Sequence, residues 1–410
     1  MIDLNKLHDN PDETVRKLKR KDPTFDGNAL YNFSKQIRIL RIEIDELRKK
    51  KNDLSATAKG GLNEKIRQES ISLGQSIKQK EDGLTELEQK FKSLYLSSPN
   101  IPYDDIPDGG KEANKIVKEF GRKPFFDFEP SNHVDLGERL GWFDFKKAAK
   151  MTGSNFAFYQ KDAVKLIYAL GMFMLKNNIK HGYEPVLPPH MINEEALIVS
   201  GNFPKFRDQV YAVPADNLFL TPTSEVNIAN MYRDHIFEAH ELPLRMTAFT
   251  SCFRREAGTY GAAERGLIRI HQFEKVELYT ICEPEYSDTE LDRMIVCAEE
   301  ILQALGLHYR VSLLAAQDCS FQSAKTYDIE VWLPGQKQYY EVSSASNCTD
   351  FQARRGLMRY KKNGKNCLVH TLNASSLALP RLIVALMEVY QQRDGSIALP
   401  DILRTEGIWP

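Results

Sequence analysis

Two stripes of apolar residues near the start of the chain leave few ways to fold it. From Phe33, apolar side chains recur at Ile37, Leu40, Ile44, Leu47 and Leu54, with Lys51 standing at the one missing seam position. A second stripe runs through Leu73, Ile77, Leu84, Leu87, Phe91 and Leu94, with Lys80 at its gap. Spacings of four and three put each set along one side of an α-helix, which must bury that side against a partner. Gly60-Gly61 lies between the stripes as the natural reversal, so the economical product is one long antiparallel helical hairpin over about residues 28–96. A helix of about 32 residues is roughly 48 Å long, too long for the interior of a compact domain, and the hairpin is expected to project as an arm.

Charge along the hairpin is uneven. Residues 28–96 hold 14 Lys or Arg and 10 Asp or Glu, yet the stretch from Arg48 to Arg67 alone holds seven basic and two acidic residues. A solvated coiled-coil face is one reading of this tip. A phosphate-binding finger that displaces counterions from an RNA backbone is the other. The chain as a whole offers no such bias, because 55 Lys and Arg balance 56 Asp and Glu for a formal charge of −1. No global field draws it to DNA or to a membrane, so a polyanion must be met by a local patch.

The N-terminal stretch carries Asp3, Asp9, Asp12 and Glu13 without an apolar run, which argues against a targeting segment, and no stretch is apolar enough to span a membrane. Six cysteines are scattered without a CxxC spacing. They read as reduced thiols, which implies a cytoplasmic protein, with zinc ligation the alternative. The segment SSPNIPYDDIPDGG, residues 97–110, is dense in Pro and Gly and marks a boundary. The expected domains are 1–104, carrying the hairpin, and 105–410. In the second, short strand patterns and helices alternate without a βαβ rhythm, so an α+β body is expected, an antiparallel sheet with helices on one face; a parallel doubly wound sheet is the runner-up.

Chemistry concentrates in FRREAGTYGAAERGLIRIHQFEKVELYT, residues 253–280. Read as a strand from residue 268, parity places Ile268, Ile270, Val276 and Leu278 on one side and Arg269, His271, Phe273, Lys275 and Glu277 on the other. Arg254 and Glu256 share a face on the outgoing run. An ordinary solvated face explains mixed charges but not the aromatic ring among them. Arginines for phosphate, a ring for stacking and carboxylates for an amine fit a nucleotide and an ammonium-bearing ligand better. The chain has no GxxxxGK[ST] loop and no GxGxxG after a strand, and neither HIGH nor KMSKS, so a nucleotide would lie on the sheet, gripped by arginines.

These residues resemble the class II aminoacyl-tRNA synthetases and, among them, the seryl-tRNA synthetase family. FRREAG with RGLIRIHQFEKVE resembles the second signature motif, LTPTSEV at 220–226 the amino-acid loop, and YYEVSSASNCTDFQARR at 339–355 with LNASSLALPRLIVALMEVYQ at 372–391 the remaining active-site elements. HGYEPVLPPHMIN at 181–193 resembles the first motif, the dimer interface of the family. The loop tip TYGAAERG keeps Arg265-Gly266 but lacks the family's usual charged tip, and NASSLALPR stands where bacterial members commonly carry NGSGLAVGR.

The resemblance implies a class II catalytic domain behind a tRNA-binding arm. The reaction it implies activates L-serine with ATP to seryl-adenylate and transfers serine to the 3′ end of tRNA(Ser), with tRNA(Sec) a second acceptor to consider. Arg254, Glu341 and Arg381 would be catalytic. Arg254 would bridge the ATP α-phosphate and the serine carboxylate. Arg255, Glu256, Arg269, Phe273, Val342 and Ser343 would join Arg254, Glu341, Ser344 and Arg381 around ATP, with Phe273 and Arg381 sandwiching adenine. Thr223, Ser224, Glu225, Glu277, Asn373 and Ser375 would join Arg254 around serine, and Glu341 and Ser344 would hold Mg²⁺. Ser375, shortly before Pro380, also suits a helix cap. An amino-acid:carrier-protein ligase would share the body without the arm. A non-catalytic RNA-binding paralogue would keep the arm and lose the charged face. Both the arm and the face are present in this sequence.

Overall fold

The computed structural model describes residues 1–57, 64–257 and 266–405. The chain divides into two compact units, Met1–Pro99 and Asn100–Pro410. In the first, two short helices precede α1 (Gly27–Thr57) and α2 (Glu64–Leu96), which pair lengthwise. Ile37, Ile44 and Ile77 are buried in their seam, as the heptad spacing requires. Lys80, at the gap in the second stripe, reaches across to Glu43 Oε2 at 2.6 Å, while Arg41 pairs with Glu88 at 2.7 Å and Arg48 with Glu81 at 2.8 Å. These exposed cross-helix pairs each add less than about 1 kcal/mol, so they select the register and the seam supplies the stability. Lys59 and the Gly60-Gly61 reversal lie outside the described residues.

The second unit is built on an eight-stranded sheet. Its strands are β1 (Lys115–Phe120), β2 (Glu184–Pro185), β3 (Leu244–Phe253), β4 (Gln272–Cys282), β5 (Tyr309–Leu313), β6 (Lys325–Leu333), β7 (Gln338–Asn347) and β8 (His370–Ala378). They lie in the order β1-β5-β6-β7-β8-β4-β3-β2. Every neighbouring pair is antiparallel except β2–β3 at one edge, which is parallel. The doubly wound alternative is thereby excluded.

Three long helices, α3 (Asp162–Lys180), α5 (Ser287–Ala304) and α6 (Leu379–Val389), take up the apolar face of the sheet. Val276, Ile329, Val342 and Leu377 join Leu166, Leu170, Ile301, Leu382 and Leu386 in one core. The other face is not bare, contrary to the simplest two-layer expectation. Helix α4 (Ser224–Met231) lies across it, with Ile228 and Ala229 packed on Met246, Ala248, Tyr279 and Ile281. A helix on that side closes what would otherwise be an open charged surface into a cleft.

Two bulges decide which side chains enter the cleft. Between β6 and β7, Ile329 pairs with Ser343 but Glu330 with Glu341, leaving Val342 without a partner. Strict alternation would put Glu341 and Ser344 on opposite faces; the extra residue brings them onto one face and sends Val342 into the core. Between β8 and β4, Ser375 pairs with Glu277 and Leu377 with Val276, so Ser376 is the inserted residue. Ser375 therefore sits within a strand and caps no helix, which corrects the sequence expectation; α6 starts at Leu379.

The strand expected from residue 268 begins at Gln272. Residues 266–268 form a single 3₁₀ turn instead, and Arg254 and Glu256 lie just past the end of β3. Gly266 explains the turn: its φ is +71°, and a Cβ there would stand 2.2 Å from His133 Nε2. Leu267 N–H donates to that same nitrogen at 3.2 Å, and the His133 ring is held from behind by Glu388.

Candidate active site

A cleft of about 290 Å³ lies on the α4 side of the sheet. Twelve of the sixteen residues expected around ligand line it: Thr223, Glu225, Arg254, Glu256, Arg269, Phe273, Glu277, Glu341, Ser344, Asn373, Ser375 and Arg381. They come from six separate stretches of chain, which only the sheet order makes neighbours.

At one end three ionisable groups share a dry volume. Thr223, the N-cap of α4, accepts from Glu225 N–H at 3.3 Å and from Lys275 Nζ at 2.8 Å, and donates to Glu277 Oε2 at 3.1 Å. Lys275 also forms an ion pair with Glu277. Both residues are almost wholly buried, at 5% and 2% exposure. Glu225 accepts from Gln352 Nε2 at 2.8 Å and Asn373 Nδ2 at 3.1 Å. Burial, and then the negative charge of Glu277, push its carboxyl up to about 7, while Lys275 pulls the other way. Burial likewise raises Glu277, opposed by Lys275 and Thr223. The volume thus offers acceptor oxygens in excess of donors, which suits an ammonium group.

The other end is guanidinium and ring. The Arg254 guanidinium carbon lies 5.2 Å from the Phe273 ring centroid, and its Nε donates to Pro222 O at 3.3 Å. Arg269 is held by Glu256 Oε2 at 2.6 Å. Glu256 itself adopts φ +48°, a left-handed backbone that costs a non-glycine residue about 1 kcal/mol. Arg381 donates to the Glu341 carbonyl at 2.9 Å and to Ile268 O at 3.3 Å, with Glu341 Oε2 at 3.3 Å.

Four expected residues do not reach the cleft with their side chains. Val342 belongs to the core and Ser343 donates to Ser375 O, both consequences of the bulge in β7. Ser224 is buried in the first turn of α4, its Oγ without a hydrogen-bond partner among the described residues. Arg255 is exposed, its backbone N–H bonded to Gln209 O. The loop tip, residues 258–265, lies outside the described residues. Conversely, Lys275, Ser320, Gln322 and Ser346 line the cleft and were not singled out as ligands. The parity of β4 could have found Lys275, two residues from both Phe273 and Glu277. Ser320 and Gln322 sit in an irregular stretch with no periodic signal.

Glu341 and Ser344 fit a hard divalent cation by their chemistry, an anionic and a neutral oxygen brought onto one face. Among the described residues no cluster of three or more His, Cys, Asp or Glu could hold a metal. Such a sparse set suits Mg²⁺, which takes one or two carboxylates and completes its shell with phosphate and water.

An antiparallel sheet with arginines, a ring and paired acids on one face is the architecture of a class II aminoacyl-tRNA synthetase, and residues 211–390 match the family model of the tRNA synthetase class II core domain (G, H, P, S and T). Residues 1–102 match the seryl-tRNA synthetase N-terminal domain. The serine–tRNA ligase of Fervidobacterium nodosum is 44% identical over 98% of this chain and 97% of its own length; that of Hahella chejuensis is 41% identical over 98% and 97%. Among solved structures, seryl-tRNA synthetase from Pyrococcus horikoshii complexed with ATP superposes with a TM-score of 0.93 at 32% identity, covering 99% of this chain and 98% of that one. The cytoplasmic serine–tRNA ligase of Naegleria fowleri in complex with AMP gives 0.85 at 26% identity, over 98% and 95%. The chain belongs to the seryl-tRNA synthetase family.

The raised Glu225 carboxyl has a measurable consequence. Between its ordinary 4.5 and about 7 the folded protein holds this proton more tightly than the unfolded chain. The stabilisation is complete below the lower value and is lost as pH rises through the higher one, on the order of 3 kcal/mol in all. Glu225→Gln is expected to remove that loss, flattening the stability profile across the window in urea titrations; a profile as steep as the parent's would contradict the assignment.

Proposed function

We propose that the cleft binds L-serine and ATP, forms seryl-adenylate with release of pyrophosphate, and passes serine to the 3′ end of tRNA(Ser). The observation that carries this reading is the joining, in one cleft, of an arginine-and-ring surface with a buried acid pair. Glu277 would receive the serine ammonium, held ionised and oriented by Lys275 and Thr223. Glu225, Asn373 and Ser375 would meet the hydroxyl end. Arg254, at the guanidinium end with its charge acting on Glu277, would bridge the serine carboxylate and the α-phosphate. Phe273 and Arg381 would stack on adenine, and Arg269, braced by Glu256, would hold the phosphates.

The serine carboxylate is ionised at neutral pH, so its in-line attack on the α-phosphorus needs no general base. Catalysis is then a matter of position and charge: Arg254 brings nucleophile and phosphorus together and faces the negative charge that spreads over the phosphoryl oxygens. Mg²⁺ bound at Glu341 and Ser344 would screen the triphosphate. A pocket built to pair with a hydroxyl leaves buried polar groups unmatched when alanine enters, which rejects alanine by roughly 10⁴-fold. Arg254→Ala is expected to lower serine-dependent ATP–pyrophosphate exchange by at least about 10³-fold, as loss of a preorganised charge at the transition state does. Near-parental exchange would remove Arg254 from this role.

The basic end of the hairpin is the proposed tRNA contact, with phosphates recognised by charge and shape. Lys49 and Lys50 are exposed there, and Lys65 and Arg67 open the returning helix. Reversing these four to Glu is expected to leave pyrophosphate exchange intact while raising the KM for tRNA by at least about 10²-fold at moderate salt, since each lost phosphate contact weakens binding and its salt dependence. Unchanged aminoacylation would refute the arm's role.

A second copy of the chain is the proposed cover for the apolar surface around the 181–193 stretch, where Tyr168, Leu187 and Met191 are 59%, 82% and 52% exposed. Exposure of this order on neighbouring large apolar groups marks an interface. Leu187→Asp with Tyr168→Asp is expected to halve the particle mass in light scattering; a monomeric parent would sink the reading. No helix among the described residues is long and apolar enough to cross a membrane. The six free thiols support a reducing, cytoplasmic setting.

A further inference from the structure

Four carboxylates gather where β5, β6 and β7 run side by side next to the cleft: Asp318, Asp328, Glu330 and Glu341. Three are matched. Glu330 pairs with Arg310 at 2.6 Å, Asp318 accepts from Asn114 Nδ2 at 2.7 Å, and Glu341 has Arg381 at 3.3 Å. Asp328 has neither a cation nor an amide among the described residues, and its Oδ1 is buried without a hydrogen-bond partner. Leaving such an oxygen unmatched is costly, so the hydroxyl that does meet this carboxyl matters.

Its place in the ladder names that partner. Asp328 lies directly opposite Ser344 on β7 and Ser312 on β5, and Glu330 lies opposite Glu341. Residues opposite one another point to the same face, so Asp328, Ser344 and Glu341 share one, again because Val342 is bulged out. The Ser344 hydroxyl acts on the Asp328 carboxyl from across the ladder, against burial and the Glu341 charge. A hydroxyl that ligates a cation must turn its lone pairs to the ion and give its proton to an acceptor behind it.

Building on the reading of Glu341 and Ser344 as cation ligands, we propose that Asp328 is a positioning residue for the divalent cation: it accepts a hydrogen bond from the Ser344 hydroxyl and so fixes the ligating oxygen toward the ion. Asp328 does not line the cleft itself, which places it behind the ligands.

Mn²⁺ serves as the probe in the full-length protein. Asp328→Asn is expected to weaken Mn²⁺-dependent binding of a non-hydrolysable ATP analogue by about 10- to 100-fold, the usual effect of losing an outer-sphere partner. Metal-free AMP binding should stay within about twofold, and the melting temperature should rise, because the amide removes an unmatched buried acid. In a Ser344→Ala background the same change should add less than about twofold, since Asp328 works through that hydroxyl. Parental Mn²⁺ dependence in Asp328→Asn overturns the proposal, as does a full additional loss in the Ser344→Ala background. A lowered melting temperature with equal losses of AMP and Mn²⁺–analogue binding also overturns it, marking a purely structural residue. If the parent protein binds the analogue without any Mn²⁺ dependence, the Glu341–Ser344 assignment itself fails.

Discussion

A charge taken out of water must be matched, and the α4 side of the sheet is organised around matching two carboxylates with one ammonium. Burial raises the carboxyls of both Glu225 and Glu277, and Lys275 opposes that shift at each. Thr223 makes the arrangement specific, because its single hydroxyl receives Lys275 and gives its proton to Glu277. That hydroxyl is placed by its duty as the cap of α4, so the start of the helix and the polarity of the pocket are one constraint. In the proposed function a substrate ammonium would add a second cation beside these two carboxyls.

The same face could not carry this chemistry on regular strands. An unbroken β7 would alternate Glu341 and Ser343 toward the cleft and turn Ser344 toward the helices. Unbroken β8 would do the same to Ala378 after Ser375, displacing the approach to Pro380 and Arg381. One inserted residue in each strand reverses parity in mid-sheet, so that polar side chains on both sides of the bulge enter one cleft while Val342 and Leu377 fill the core. The bulges are therefore part of the site.

The hairpin was readable from sequence because its information is local: spacings of three and four specify a buried stripe, and the lysines at the gaps in the stripes identify positions that must reach outward or across. The charged parity of residues 273–277 was readable for the same reason. What local period could not convey was where a strand stops. Residues 268–271 continue the alternation of β4, yet a 3₁₀ turn at 266–268, with Gly266 left-handed against His133, delays the strand until Gln272. Nor could spacing reveal a bulge, since Val342 and Ser343 look as well suited to the cleft as Glu341 and Ser344. Roles for these four came from family resemblance, and the fold separates them. Ser320 and Gln322 reach the cleft from an irregular stretch whose course depends on the strands around it, and no pattern in the chain announces them.

In the proposed function the arginines would let such a surface work without general acid–base machinery. Arg269 and Arg381 each have an acidic neighbour, which does not amount to neutralisation of the site. A guanidinium has five N–H donors, and one carboxylate occupies at most two. Glu256 and Glu341 therefore fix the planes of these groups without using the full donor capacity of a guanidinium, and in the proposed function phosphate oxygens or an adenine face would meet what remains. A lysine at either position would supply the charge but neither the plane nor the remaining fixed donors, so charge alone would not reproduce the site. Under the proposed function, rigid, pre-oriented cations on a stiff sheet would supply their stabilisation without reorganising during the reaction, so a flat β-surface would do work that other nucleotide-binding folds assign to a glycine-rich loop.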